Sequence, residues 1–386
     1  MRRALSYRPD IDGLRALAVA AVVLFHYRVP GFSGGFVGVD VFFVISGYLI
    51  TGLILKERGE GRFSLRQFYE RRIRRIFPAL FAMLAVATIT AALLLFPTSF
   101  AGFGKSLLAT AFFASNFEFW REAGYFDVAA DQKPLLHLWS IAVEEQFYLV
   151  FPALLLLIGT QSKRRLSLCI AAIFAASLAF SIWSTHHAAT AGYYLLPSRM
   201  WELMLGALLS VGTISTPNRF GLHQVAAAFG LALIGYSIFR YSHVTPFPGS
   251  AALIPCVGTA LVIAAGEGAA LNRVLSLRPI VFVGLTSYSL YLWHWPVYVF
   301  ARAALFRAPT AFETAALIGF SVALAVLSWH LIERPFRSRS FRWPRPVLFR
   351  SAGIAIAATA ACAAILVIGK GLPQRFSRPA RITACD

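Results

Sequence analysis

The chain has 386 residues, of which 58% are apolar and 14% charged, well under the roughly 25% charged residues of an ordinary soluble domain. Its mean hydropathy of +0.67 excludes a soluble enzyme, a disordered chain and a secreted disulfide scaffold. A net charge of +19, from 36 basic and 17 acidic residues, fits basic loops beside a membrane rather than a nucleic-acid surface, because apolar runs separate the basic clusters.

The start, MRRALSYRPDIDGLRALAVAAVVLFHY, joins a basic flank to an apolar run without a small-residue cleavage site. It reads as a retained first helix rather than a signal peptide. Apolar runs long enough to cross a bilayer, about 20 residues, follow one another at 12–28, 36–56, 76–96, 139–159, 167–186, 198–213, 223–240, 250–266, 280–301, 311–332 and 350–369. The expected fold is an all-α integral-membrane bundle of about eleven spans.

Segment 102–120 is also long enough, but it carries Lys105, Asn116 and Glu118. Charge arbitrates. If this segment does not cross, the inner loops after residue 160 hold Lys163, Arg164, Arg165, Arg219, Arg273, Arg278, Arg334, Arg337, Arg339, Arg342, Arg345 and Arg350. The outer loops then hold Arg199, Arg240, Arg302 and Arg307. Twelve against four obeys the positive-inside rule, and a crossing would invert the ratio. The segment is therefore expected to be re-entrant or interfacial on the outer side. The N-terminus is expected in the cytoplasm and the C-terminus outside. The organisation expected is a membrane domain over 1–336, a basic cytoplasmic loop over 337–349, an extra helix over 350–369 and a short outer tail over 370–386. No fixed-period repeat and no inverted pair of broken helices is visible.

Ionisable groups inside spans are costly and functional by default. Arg15 and His26 lie eleven residues apart on the first helix, about 16 Å along the axis and almost three whole turns, so they share a face at different depths. His26, with an ordinary pKa near 6.5, suits general-base chemistry. Asp40 stands near the outer start of the second span, placed to orient or balance His26 or an arginine; a structural ion pair is the plainer alternative. Ser46 beside Gly47 is open to two readings, a nucleophile or, more plainly, a packing serine. Four arginines, Arg71, Arg72, Arg74 and Arg75, enter the third span. Arg72 and Arg75 are i, i+3 and can face one anion together.

Farther on come His137, Trp139 and Ser140, then the adjacent acids Glu144 and Glu145. These point about 100° apart, so they are not a carboxylate pair on one face. Arg199, Trp201 and Glu202 occupy another span. Ser287, Tyr288, His294, Trp295 and Pro296 occupy a later one, where His294 is either a second acid/base group or a hydrogen-bonded interface histidine. Glu333 opens ERPF at an inner helix end. Cys169, Cys256 and Cys362 lie in apolar runs, and no cysteine or histidine spacing suggests a metal.

The stretches RPDIDGLRALAVAAVVLFHY, GGFVGVDVFFVISGYLIT, FYERRIRRIFPAL, LLHLWSIAVEEQFYLVFP, SYSLYLWHWP and IERPF resemble the acyltransferase-3 family of bacterial membrane proteins, from about Tyr7 to Phe336. The resemblance implies O-acylation, usually O-acetylation, of lipopolysaccharide O-antigen, peptidoglycan or exopolysaccharide at the cytoplasmic (inner) membrane. The implied donor is cytoplasmic acetyl-CoA. The family's Arg-x10-His motif maps onto Arg15 and His26, and its RxxR motif onto Arg72 and Arg75. Its Gly-Tyr-Phe loop motif maps onto Gly124, Tyr125 and Phe126, and its ERP glutamate onto Glu333. Many members carry an outer SGNH-type domain after an eleventh span. Here only a short polar tail follows, so a separate SGNH-type partner is one expectation.

The residues and the resemblance combine into one expected mechanism. Acyl-CoA phosphates dock on the arginines at the inner face, the thioester enters beside Arg15, and His26 acts at the outer end as base or as transient acyl carrier. A pantetheine arm matches the depth from Arg15 to His26 and is expected to bridge them. The rival expectation is a transporter or flippase for a lipid-linked sugar or acyl donor, with Arg15 and His26 on its path.

Overall fold

The computed structural model describes residues 7–123, 130–159, 162–212, 220–338 and 343–375. The described residues form helices and connecting loops, with no strand among them. The α-helices are α1 (Pro9–His26), α2 (Gly38–Gly59), α3 (Leu65–Leu94), α4 (Pro97–Ala111), α5 (Ser115–Glu122), α6 (Leu138–Ile158), α7 (Lys163–His187) and α8 (Ala189–Tyr194). They continue as α9 (Leu196–Val211), α10 (Phe220–Arg240), α11 (Leu253–Ala265), α12 (Ala270–Leu275), α13 (Arg278–Leu305), α14 (Ala311–Ser328), α15 (Arg334–Arg337) and α16 (Arg345–Ile368). A π-helical turn, Trp329–Glu333, joins α14 to α15.

Among the described residues, seven helices are long and apolar enough to cross a membrane, namely those built on α2, α3, α6, α7, α10, α14 and α16. Much of their apolar surface faces outward. Leu93, Leu157 and Ile368 are about four-fifths exposed, and only 17% of the apolar stretch of α14 or of α16 is buried. Helices apolar all round and left uncovered are stable in hydrocarbon, not in water. The other four predicted spans fall on α1, α9, α11 and α13. α1 carries Asp10, Asp12 and Arg15 in its first turns, while α9 and α11 have 16 and 13 residues. α13 is long, at 28 residues, but polar and aromatic groups fill its middle. Segment 102–120 is not one helix: α4 and α5 meet at a break where Phe113 takes a positive φ of 52°, and Asn116 bonds the Tyr194 carbonyl.

Two close approaches position the site. α1 and α13 run side by side in the same direction, since Arg15 reaches Ser287 and Tyr27 reaches the His294 carbonyl. Gly284 permits this contact, because a Cβ there would lie 1.8 Å from the Asp12 carbonyl oxygen. α2 crosses α9 through Gly47 and Gly206, where added Cβ atoms would meet the Leu203 and Val44 carbonyls at 1.8 and 2.0 Å. Small residues let helix backbones approach where no hydrophobic effect drives them together.

Candidate active site

A cavity of about 430 Å³ opens between α1, α2, α3, α6, α13 and α15. Its mouth holds Tyr7, Lys56 and Arg337, at the end of the bundle where α1 and α3 begin and α2 ends. Six cationic side chains line it (Arg8, Arg15, Lys56, Arg72, Arg75 and Arg337) against three acids, Asp12, Glu144 and Glu145. Two of the acids are engaged. Asp12 accepts from Arg15 Nη1 at 3.0 Å and from the Tyr7 hydroxyl at 2.9 Å. Partial burial and the Asp12 carboxylate push the Tyr7 phenol up to about 12, so it keeps the proton it donates. Glu144 accepts hydrogen bonds from Ser46 and Tyr148.

The arginine run divides by helical phase. Arg72 and Arg75, three apart, face the cavity, and neither has an ion pair among the described residues. Arg72 packs its guanidinium over Tyr148 and Phe68 at 5.1 and 5.7 Å, and its buried Nε has no partner among the described residues. Arg71 and Arg74 turn away. Arg71 bonds Glu57 at 2.9 Å. Arg74 bonds Glu70 at 3.1 Å and the Trp343 carbonyl at 2.7 Å. The expectation of four arginines for one ligand is thus reduced to two by geometry. Glu144 and Glu145 both reach the cavity despite their separation of about 100°, because its wall on α6, from Ser140 and Ile141 to Tyr148, is a broad stripe that takes in both positions. Ser46 is not a packing residue alone, since it donates to Glu144.

Arg15 lies deeper and also donates to Ser287 Oγ at 2.9 Å. Glu333, buried in the π-helical turn, accepts from Ser289 at 3.0 Å and from Arg337 at 2.9 Å. It thereby ties α13 to the arginine at the mouth. π-Turns concentrate at functional positions.

Tyr291 closes the deep end, bonding Ser140 Oγ at 2.6 Å and the His137 carbonyl at 2.9 Å. Beyond it three histidines gather. His26 Nδ1 lies 2.8 Å from His294 Nε2, edge to edge, with the two ring planes within 11° of each other. The His137 ring is 5.6 Å from that of His294. His26 also rests on Trp295, ring to ring at 4.6 Å. His137 Nε2 donates to the Leu292 carbonyl at 3.2 Å. That carbonyl is free because Pro296, four residues on, has no N–H to offer it. His26 does not line the cavity. The expected continuous path from Arg15 to His26 is interrupted by Tyr291, whose ring stands 5.4 and 5.5 Å from those of His294 and His137.

Asp40 and Trp139 lie elsewhere. Arg199 Nη1 bonds Asp40 at 2.9 Å and Glu202 at 2.7 Å. Phe43, Trp139, Tyr193 and Phe247 surround its guanidinium at 5.4–5.8 Å. Asp40 therefore takes the structural alternative and balances Arg199 instead of His26. Asp40, Glu202 and Cys256 offer ligand atoms within 4.8 Å of one another, but the guanidinium already serves both carboxylates. Gly124, Tyr125 and Phe126 lie outside the described residues. Sequence reasoning missed Tyr291 and Tyr148. Tyr291 precedes His294 by three residues and so shares its helix face, which is the signal that was there to find.

A family model described as "Acyltransferase domain" (Acyl_transf_3) matches residues 8–330. The chain is 31% identical to "Peptidoglycan O-acetyltransferase OatA" of Listeria monocytogenes over 88% of its own length and 57% of that protein's. It is 33% identical to "Putative membrane-bound transacylase BcsY" of Komagataeibacter xylinus, over 93% of this chain and 90% of that one. It thus spans little more than half of the Listeria protein and nearly all of the Komagataeibacter one. No solved structure matches. The match runs from the start of α1 into the π-helical turn, and with it covers every cavity-lining residue except Tyr7 and Arg337; this chain belongs to the acyltransferase-3 family of membrane acyltransferases.

Proposed function

We propose that this chain is an O-acyltransferase of the bacterial cytoplasmic membrane that moves an acyl group, acetyl in the first instance, from cytoplasmic acyl-CoA to a hydroxyl of an envelope polysaccharide. The observation that carries the reading is the cavity in which Arg72 and Arg75 stand without an ion-pair partner among the described residues. Guanidinium forks left free in a low-dielectric site favour a polyphosphate. In this reading the basic end is cytoplasmic, as the loop charges require. α1, α9, α11 and α13 join the seven long apolar helices to make eleven spans, and α4–α5 stays at the outer side without crossing.

The CoA phosphates rest on Arg72 and Arg75, and Arg15 takes the inner part of the pantetheine arm. The thioester points past Ser46 toward Tyr291, which must swing aside for the acyl group to meet His26. His26 takes the proton of the acceptor hydroxyl. The hydroxyl oxygen bonds the thioester carbonyl carbon, the C–S bond breaks, and the leaving thiolate recovers the proton from His26. The products are an ester and CoA thiol, and the histidine returns to neutral. Peptidoglycan, as in the Listeria relative's name, O-antigen and exopolysaccharide are the acceptor classes. A separate SGNH-type outer partner completes the transfer where the chain alone does not.

The test is mass spectrometry of envelope polysaccharide from cells expressing wild type or His26→Ala at equal protein level. The expected result is a gain of one acetyl mass per modified sugar that the variant abolishes. Acetylation at wild-type rate in His26→Ala overturns the reading. Acetyl-CoA turnover by purified protein separates it from the transporter, which consumes no thioester.

A further inference from the structure

The three histidines gathered beyond Tyr291 have no carboxylate hydrogen-bonded to any of them among the described residues. A catalytic imidazole is ordinarily held in one tautomer by the bond its second nitrogen makes, and here that bond runs to another imidazole. His294 Nδ1 lies 3.1 Å from the Leu290 carbonyl oxygen, one turn back on α13. A carbonyl only accepts, so this nitrogen carries the proton. In a neutral ring His294 Nε2 is then bare, and it faces His26 Nδ1 at 2.8 Å. His26 Nδ1 must therefore be the N–H, which leaves His26 Nε2 as the lone pair.

We infer that His294 is a positioning residue that fixes His26 in the Nδ1–H tautomer and so makes Nε2 its working atom. The backbone is the origin of the order: carbonyl 290 sets His294, and His294 sets His26. When Nε2 takes a proton from a hydroxyl, the imidazolium donates a charge-assisted bond to a neutral acceptor, which is stronger than the bond it replaces. The charge is met without an anion that would need its own desolvation. His137 does not share this role, because its Nε2 donates to the Leu292 carbonyl and its Nδ1 meets no donor among the described residues, so it makes no bond to His26. The tautomer assignment stands on geometry alone; its catalytic meaning rests on the acyl-transfer reading.

The experiment is nitrogen NMR of the full chain in lipid nanodiscs, labelled at the histidine rings. It is recorded at about pH 8, above the ordinary imidazole pKa near 6.5. The His26 signals are identified by their loss in His26→Gln. The inference expects a protonated Nδ1 and a bare Nε2 at His26. His294→Gln, whose amide oxygen can accept the same bond, keeps that pattern and at least about a tenth of the acyl transfer. His294→Leu releases the tautomer, shows a proton on Nε2, and loses about 10²-fold or more in rate, the scale on which a wrong tautomer or a lost base acts. A proton on Nε2 in the wild type overturns the inference, as does His294→Leu matching His294→Gln in both readouts. The wild-type spectrum decides even if neither variant folds. A correct ring pattern in a protein that turns over no acyl-CoA upholds the tautomer assignment and refutes the acyl-transfer reading instead.

Discussion

Arg199 and Arg72 are guanidiniums held by the same helical bundle, and their surroundings differ in kind. Arg199 is 1% exposed, has two carboxylates within 2.9 Å and lies among four aromatic rings. Arg72 lines an open cavity, with two aromatic rings beneath it and no ion pair among the described residues. Burial of an ion inside a membrane protein has to be compensated. At Arg199 the protein supplies the compensation and fills the space. At Arg72 no described residue supplies an ion pair and the space beside it stays open, which the proposed function assigns to the acyl donor. The contrast teaches that a buried arginine is read by what already answers its charge, not by its depth.

The largest effect that tests this contrast is at Arg199. Replacing it by Met leaves Asp40 and Glu202 buried without their cation, which costs on the order of 3–5 kcal/mol. The expected outcome is a protein that fails to accumulate or melts far below wild type in detergent. Adding Asp40→Asn and Glu202→Gln restores part of the loss. Stable accumulation of Arg199→Met would break the comparison.

The second effect is of opposite kind. Arg72→Gln with Arg75→Gln removes two charges that no described residue pairs, so the protein accumulates and melts as wild type or slightly better. Each lost charged hydrogen bond to phosphate is worth about 1.5–3 kcal/mol. The KM for acyl-CoA is expected to rise at least about 10-fold, since 1.4 kcal/mol is one decade. Steady-state acetyl-CoA turnover measures it. A fall in melting temperature with unchanged KM would assign Arg72 and Arg75 to the same structural class as Arg199.

The sequence alone made much of this legible. Apolar runs located every long helix, because a span must satisfy its backbone within itself. The spacing of Arg72 and Arg75 placed them on one face, because neighbours along a helix follow from its pitch. Contacts between helices were not legible. His26 and His294 are 268 residues apart, and no periodicity within α1 or α13 says which faces meet. Asp40 and Arg199, 159 residues apart, were hidden for the same reason, so the sequence left Asp40 open between His26, an arginine and a structural ion pair. The break between α4 and α5 left a trace in Lys105, Asn116 and Glu118, but polar residues mark unsuitability for lipid, not the conformation that results.

The smallest effect comes from the residue next to Arg72. Arg71 has the same charge and enters the same helix, but it is one position, about 100°, around the axis. That rotation takes it off the cavity and onto Glu57 at 2.9 Å, with 30% of its side chain exposed. A partly exposed pair of this kind contributes about 0.2–1 kcal/mol. Arg71→Gln is therefore expected to lower the melting temperature slightly and to leave the acyl-CoA KM within about twofold of wild type, a change well below one decade. Measured beside Arg72→Gln at two salt concentrations, the two variants separate pairing from ligand binding. Exposed pairs weaken as salt rises, so the small stability cost of Arg71→Gln shrinks at high salt. The KM cost of Arg72→Gln persists there, because its charge meets the donor inside the bundle. Equal KM effects from Arg71 and Arg72 would mean that total positive charge at the mouth, not the placed pair, draws in the donor.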